Sequence, residues 1–314
     1  MEAGRALAEE RGLNSIVARA LLNMSGSNLS RDPRRAFELG VEAIALARRI
    51  GFRSFLATAA GNSLEVAVYL GELDWGMAIG DEVLALEFAP IDRQSLLRGI
   101  CQVRLVRGEP VDDLFVEYAD VLVEKVDLQV VSNYEGAVAF RNFLACDFTA
   151  AAALWEKAAR TVTLNASGDL PHAAQAAIWA GDLPTAERLT AEFAKDWAQG
   201  RCANARLAGL AASLAAMAGR RDDAIAGFAS AITSLRELGL EVDAVQNMLD
   251  MGRTLGATDP AVVPWLEEAR SSMERLRMPG LNGLLETASG GAAGGSASVA
   301  AAAPGATFAT KAAG

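Results

Sequence analysis

The sequence has few of the residues from which most catalytic and metal sites are built. It contains one histidine, His172, and three cysteines, Cys101, Cys146 and Cys202, which lie 45 and 56 residues apart. An odd number of cysteines at such distances fits neither a disulfide framework nor a zinc site. We therefore predict that each cysteine is a small buried thiol and that the chain uses no metal or other cofactor.

The motifs of the common enzyme classes are also missing. The sequence has no G-x-x-x-x-G-K-[ST] phosphate loop, no G-x-S-x-G nucleophile elbow and no H-E-x-x-H zinc helix. His172 alone could act as a general base, but a catalytic site also needs a nucleophile or a substrate anchor. We interpret this histidine as a polar position on an inner helix face. The sequence predicts a protein that is not an enzyme.

Excess positive charge and long hydrophobic runs are lacking as well. The formal net charge is −10, and an acidic field repels a phosphate backbone, which argues against nucleic acid as a partner. The longest uncharged stretch in the body of the chain, 207–219, has 13 residues, whereas a membrane span needs about 20. The first residues carry charges throughout and lack the apolar region of a signal peptide. We expect a cytoplasmic protein that binds neither nucleic acid nor membranes.

The residues that are abundant favour helices. Alanine and leucine dominate a hydrophobic content of 52%, and both have high helix propensity. Nothing alternates with period two over a useful length. The stretch nearest to a strand, 127–134 (DLQVVSNY), is interpreted as a connection followed by a helix start, with a strand as the alternative. The sequence predicts an all-α fold.

A repeat of about 37 residues runs through the chain. Glycine suits the left-handed end of a helix, and a polar residue after it can start the next helix. Small side chains follow most of the turns by five residues, and Trp155, Phe228 and Trp265 follow three of them by nine. A fixed period with matching internal positions indicates a repeat protein. The turn-like sites are Gly71, Gly108, Cys146, Gly181, Gly219 and Gly256.

Each repeat is interpreted as two helices joined by a short turn. We predict seven such hairpins, the first over 12–51 and the last over 240–276. Residues 1–286 then form one helical repeat domain. Residues 287–314 consist mainly of alanine, glycine and serine, with too little large apolar side chain to offset the entropy of ordering. They are predicted to be a disordered tail.

These turn and packing positions resemble the tetratricopeptide repeat. The closest matches are G-D-L-P-T-A at 181–186 and G-R-R-D-D-A at 219–224. Asp113 departs from the small residue of the pattern, Cys146 replaces a turn glycine, and the period exceeds the 34 residues of the family. The resemblance covers about 12–276. It implies a right-handed superhelical solenoid of about seven helix-turn-helix hairpins, whose first helices line a concave groove.

A narrower resemblance concerns bacterial signalling proteins. The phrases ALARRIG at 45–51 and LRELGL at 235–240 are similar to the C-terminal helical regions of large multidomain members of that group. In such proteins an NTPase or a class III adenylate or guanylate cyclase domain lies upstream, and the repeats serve sensing or assembly. The resemblance implies that this chain is a fragment or a stand-alone relative without the catalytic part.

The tetratricopeptide resemblance also implies binding residues on the inner helices. In the family, the position nine residues before each turn resembles one that contacts peptide backbone or a terminal carboxylate. Polar side chains occupy it in three units here, and others lie near the same faces. The alternative is that they are ordinary solvated or capping groups. The candidate binding residues are Asn62, Arg104, Asn142, His172, Gln246 and Asn247.

Two functions stay open at this stage. The first is a non-catalytic protein–protein interaction module that binds a peptide along the concave face of stacked repeats, within a bacterial signalling or regulatory system. The second is a small-ligand sensor, the regulatory region of a nucleotide cyclase or an NTPase-type transcriptional regulator. Trp155, Trp179 and Trp265 would line its pocket, unless they belong to the core. An open groove favours the first, and a deep inner pocket favours the second. The oligomeric state stays open too.

Overall fold

A computed structural model describes residues 1–124 and 127–290. These residues form 16 α-helices and two 3₁₀ turns, with no strand among them, so the all-α prediction is confirmed. The helices are α1 (Glu2–Glu10), α2 (Asn14–Asn28), α3 (Pro33–Ile50), α4 (Arg53–Leu70), α5 (Leu73–Leu84), α6 (Pro90–Val106), α7 (Asp112–Glu124), α8 (Leu128–Leu144), α9 (Phe148–Thr161), α10 (Ala166–Ala180), α11 (Leu183–Asp196), α12 (Arg201–Met217), α13 (Arg221–Glu237), α14 (Glu241–Leu255), α15 (Val263–Leu276) and α16 (Asn282–Ala288). The 3₁₀ turns are Thr163–Asn165 and Pro279–Leu281.

Helix α8 decides the one ambiguous segment. It begins at Leu128, inside the stretch for which a strand was the alternative. The Asp127 side chain accepts a hydrogen bond from the Gln129 backbone N–H at 2.8 Å, which satisfies a donor that the first helical turn leaves free. The interpretation as a helix start is confirmed, and the strand alternative is wrong.

The repeat turns adopt a common backbone conformation. The φ angles lie between 64° and 78° at the first five predicted sites, including Cys146, where a side chain occupies the left-handed region. At Gly256 φ is 96° and ψ is 136°, so this turn is built differently. Helix α15 accordingly begins only at Val263.

The helices pack mostly against their neighbours in sequence. From α2–α3 to α14–α15 they form seven adjacent pairs, and each pair packs on the next. The small residues that follow three of the turns by five positions, Ala151, Ala186 and Ala224, are fully buried. This packing is consistent with a repeat array. Helices α1 and α16 add one element at each end of the described residues.

Helix α14 lies at the centre of the fold. All 11 residues from Val242 to Gly252 are buried. The helix packs not only on α13 and α15 but also on α4, α10, α12 and α16. The Ser30 carbonyl, after α2, also accepts a hydrogen bond from the Cys202 N–H at the start of α12, at 3.1 Å. The array therefore curves until its first and second halves meet.

Glycines allow the closest helix approaches. An ideal Cβ on Gly61 of α4 would lie 2.0 Å from the Ser95 carbonyl oxygen of α6, and one on Gly99 would lie 2.7 Å from the Gly61 oxygen. Near the end of the described residues, a Cβ on Gly280 would lie 1.8 Å from the Leu105 oxygen. Backbones touch at these points because a side-chain carbon is missing.

The end of the described chain bears on two predictions. Helix α16 continues to Ala288, two residues past the predicted domain boundary, while the predicted tail beyond Gly290 lies outside the described residues. None of the helices within 1–124 and 127–290 combines the length and apolar character that a bilayer crossing requires. Cys101 and Cys202 are buried, as predicted, and Cys146 is half-buried.

The α4–α6 contact gives a stability prediction. Gly61→Ala forces a methyl group against backbone that cannot yield easily, so we expect unfolding free energy to fall by about 2 kcal/mol. Gly26 is the matched control, since it lies in α2 and its Cβ would meet nothing within 4 Å. Gly26→Ala should stabilise by about 0.5 to 1 kcal/mol through helix propensity. Urea unfolding measures both; equal effects of the two substitutions would contradict the packing.

Candidate functional site

Polar side chains collect where α4, α6, α10, α12 and α14 meet. They line two adjacent cavities of about 20 Å³ each, which share His172 and Gln246. A cavity of this volume holds about one water molecule, so the site is a small internal one rather than a long groove. The set, called the central polar cluster, comprises Tyr69, Arg98, Gln102, Asp169, His172, Gln175, Arg206, Asp243, Gln246, Asn247 and Asp250.

Helix α14 supplies four members of the cluster by its periodicity. Asp243, Gln246, Asn247 and Asp250 follow one another at spacings of three, four and three residues, which places them on one helix face. All four are buried, between 3% and 7% exposed. A polar face in this position must find its partners on neighbouring helices.

The first cavity, called the Arg206 cavity, is organised around an ion pair between α12 and α14. The Arg206 Nη2 donates to Asp243 Oδ2 at 2.9 Å. The guanidinium carbon lies 4.6 Å from the Tyr69 ring centroid, within the range of cation–π attraction. The Asn247 Nδ2 donates to the Asp243 carbonyl at 3.0 Å, while its Oδ1 has no hydrogen-bond partner in the described residues.

The second cavity, called the Arg98 cavity, lies between α6 and α10. Arg98 donates to Glu65 at 3.2 Å and to Asn133 at 2.9 Å, and its Nη2 lies 3.8 Å from Asp169 Oδ1. Asp169 is 1% exposed, and its Oδ2 lacks a hydrogen-bond partner within the described ranges. Burial raises the pKa of Asp169 to about 7, against the opposing effect of Arg98 and with Glu65 and Glu135 adding to the rise.

Asp250 is held by uncharged donors only. Its carboxylate accepts from Gln175 Nε2 at 2.9 and 3.0 Å and from the Trp179 indole N–H. Burial raises the pKa of Asp250 to about 7, although these hydrogen bonds favour the ionised form. The carboxylate is therefore only partly ionised at neutral pH.

His172 separates the two cavities within an aromatic stack. Its ring centroid lies 5.2 Å from that of Trp155 and 6.5 Å from that of Tyr69. Burial lowers the pKa of His172 to about 4, and Arg206 adds to this effect while Asp243 opposes it. The imidazole is neutral at pH 7 and serves as a hydrogen-bonding group.

The six predicted binding residues divide into two sets. His172, Gln246 and Asn247 come together in the central polar cluster, on α10 and α14. The other three lie elsewhere: Asn62 is exposed on α4, Asn142 is half-buried on α8, and Arg104 pairs with Asp81 of α5 at 2.8 Å. A binding role for any of the six stays a prediction.

The three tryptophans of the sensor hypothesis also separate. Trp155 lines the Arg98 cavity, and Trp179 is buried and reaches the cluster through its bond to Asp250. Trp265 lies away from the cluster, with Arg236 over its ring at 5.7 Å.

Sequence reasoning missed the charged core of the site, above all Arg98, Asp169, Arg206 and Asp250. The available signal was the row of polar residues at helical spacing within an otherwise apolar α14. That pattern is usually a solvated face. Only the packing of α10 and α12 onto it shows that the face is buried.

Comparison with known proteins assigns the chain to no family. No protein-family model matches it, and no curated protein is significantly similar to it. Function must then be argued from the site. Within 1–124 and 127–290, no group of three or more His, Cys, Asp or Glu side chains is arranged to hold a metal ion. The central polar cluster offers hydrogen-bonding and charged groups in an enclosed space.

Asp250 generates a prediction for pH dependence. In the folded protein it keeps its proton up to about pH 7, whereas the ordinary value is 3.8. Between these values the folded state binds the extra proton, so this contribution to stability is lost as pH rises, by about 1.4 kcal/mol per unit. Asp250→Asn removes that loss, so its stability relative to wild type should rise from pH 5 to pH 7, by about 2 kcal/mol.

Urea unfolding at pH 5, 6 and 7 measures this difference. Asp169 and His172 titrate in both proteins and cancel in the comparison. The control is Asp222→Asn, at a carboxylate with 94% side-chain exposure, which should follow the wild-type slope. A difference between Asp250→Asn and wild type that does not change with pH would show that Asp250 is ionised throughout.

Proposed function

We propose that the chain is a non-catalytic regulatory module of tetratricopeptide type that binds a small polar ligand in the central polar cluster. One observation carries this proposal: buried polar atoms that face the cavities lack hydrogen-bond partners among the described residues. They include Arg98 Nε, Asp169 Oδ2 and Asn247 Oδ1. A buried polar group left unsatisfied costs about 1 to 3 kcal/mol. A ligand that bonds to several of these atoms recovers that free energy.

The tetratricopeptide identity is part of the proposal. It is supported by the 37-residue period, by the shared left-handed turns and by the sequential packing of helix pairs. The proposed architecture remains the right-handed superhelical solenoid that the resemblance implies. Its inner helices, however, close around α14 instead of leaving their predicted polar face open.

A regulatory role follows from where the cluster residues come in the chain. Arg98, Asp169, Arg206 and Asp250 belong to four different repeats, so one ligand contacts helices from α6 to α14. Such a ligand stabilises the closed arrangement by RT ln(1 + [L]/Kd). This coupling suits the resemblance to repeat regions that act beside a cyclase or NTPase domain in bacterial signalling proteins.

Thermal unfolding with a panel of small polar compounds tests the proposal. The panel covers amino acids, organic acids, amines and sugars. A binder present at 100 times its Kd adds about 2.7 kcal/mol of stability, which should raise the Tm by several degrees. Arg206→Met should abolish the shift, since it removes the central guanidinium. The matched control, Arg236→Met, changes an arginine beside Trp265 and should keep it.

The panel can reject the proposal in two ways. If no compound raises the Tm of the wild-type protein, the cluster is a structural feature only. If Arg206→Met and Arg236→Met respond alike to a compound, that compound binds elsewhere.

A protein or peptide scaffold is the second candidate function, and a different surface favours it. Leu7, Leu13 and Ile16, near the turn that joins α1 and α2, expose 48%, 44% and 51% of their surface. Apolar side chains in contact with water are candidates for burial by a partner. The partner would be a protein or peptide, because the acidic chain suits neither nucleic acid nor an anionic membrane surface.

Capture experiments test the scaffold function. The charge reversal of this surface, Leu13→Glu with Ile16→Glu, should eliminate a protein that wild type retains. The control is Leu164→Glu, at a leucine that is 80% exposed elsewhere, which should retain the same protein. Retention by all three forms would exclude the α1–α2 surface.

A further inference from the structure

The two buried arginines of the central polar cluster are already neutralised. Arg98 pairs with Glu65 at 3.2 Å, and Arg206 pairs with Asp243 at 2.9 Å. Their side chains retain 16% and 18% exposure, so they form the solvent-facing edge of the two cavities. No positive charge is left over for an anionic ligand.

Two carboxylates in the cluster lack a cation of their own. Asp169 lies 3.8 Å from Arg98, a distance longer than a hydrogen bond, and Arg98 is also engaged by Glu65. Asp250 is bonded only to the uncharged Gln175 and Trp179, and it has no ion-pair partner within 1–124 and 127–290. A buried carboxylate without a cation is costly. The missing group is positive.

Acceptor atoms point to the same chemistry. The Arg98 cavity contains the unpartnered Asp169 Oδ2 and Gln102 Oε1, and the Arg206 cavity contains the unpartnered Asn247 Oδ1. An ammonium group has three N–H donors and no acceptor. The Trp155 ring in the Arg98 cavity can add cation–π attraction. An anion would reach the two free arginine Nε atoms, but it would lie beside Asp169 and Asp250.

The shape of the site limits the size of such a cation. Each cavity is about 20 Å³, and the two are adjacent across His172 and Gln246. Apolar side chains also line them, Val242 in one and Leu210 and Pro171 in the other. A thin unbranched hydrocarbon chain with a charge at each end fits this arrangement.

We propose that the ligand of the central polar cluster is a small aliphatic diamine, with one ammonium group at Asp169 and the other at Asp250. This inference rests on the proposed ligand-binding function and adds the chemical class of the ligand. Asp169 and Asp250 bind the charges, Gln102 and Asn247 accept further hydrogen bonds, and His172 and Gln246 lie along the hydrocarbon chain.

Titration calorimetry with 1,4-diaminobutane tests the proposal on the full chain. The comparison compounds are 1-aminobutane, which has one ammonium group, and succinate, which has two charges of the opposite sign. We expect the diamine to bind with 1:1 stoichiometry and at least about tenfold more tightly than either. Asp169→Asn and Asp250→Asn should each weaken binding at least about tenfold, since each removes a charge-assisted bond. Asp222→Asn should bind like wild type.

A second measurement does not depend on the folding of the variants. Burial holds the pKa of both carboxyls near 7, so an ammonium group that binds beside them displaces their protons. Titration of wild type at pH 7 in two buffers of different ionisation enthalpy should show proton release. Diamine binding without proton release would place the diamine elsewhere and overturn the proposal.

The outcomes separate this inference from the function on which it rests. If the diamine fails and another compound in the panel binds in an Arg206-dependent way, the ligand-binding function stands and the diamine is wrong. If succinate binds more tightly than the diamine, the charge argument is wrong. If nothing binds, both proposals fail together.

Discussion

The burial of a polar helix face at the centre of the fold is the constraint on which the other features depend. Helix α14 is enclosed from Val242 to Gly252, yet every third or fourth residue on one side is polar. A buried carboxylate without partners is far costlier than a buried methyl group. Helix α12 must therefore bring Arg206 to Asp243, and α10 must bring Gln175 and Trp179 to Asp250. These pairings draw distant repeats around α14 and keep the array closed.

Local features of the fold were predictable because they depend on residues close in sequence. A left-handed turn needs a residue that tolerates positive φ, and glycine at a fixed period marks such turns. Even Cys146 adopts the conformation expected at its position, with φ of 64°. The capped start of α8 at Asp127 is local in the same sense. The helices and their pairing were predictable from these signals.

The candidate site was only half predictable because burial is not local. Asn62 and Asn247 occupy the same position relative to their turns, yet Asn62 is exposed, while Asn247 lies in the core. The difference comes from Gly209 of α12, where a Cβ would lie 2.0 Å from Asn247 Oδ1. Glycine there lets α12 cover the asparagine. No rule based on repeat position alone separates these two residues, and the same limit hid Asp250.

Closure also decides how a ligand and an outer partner could influence each other. The central polar cluster is built from α4, α6, α10, α12 and α14, whereas the exposed leucines and isoleucine lie on α1 and α2. The two surfaces do not overlap, so the two proposed functions are compatible. Helix α2 nevertheless touches α12 through Ser30 and Cys202, and α12 carries Arg206. A ligand that stabilises α12 on α14 therefore also stabilises the contact next to the outer surface, and by linkage an outer partner would strengthen ligand binding by the same factor.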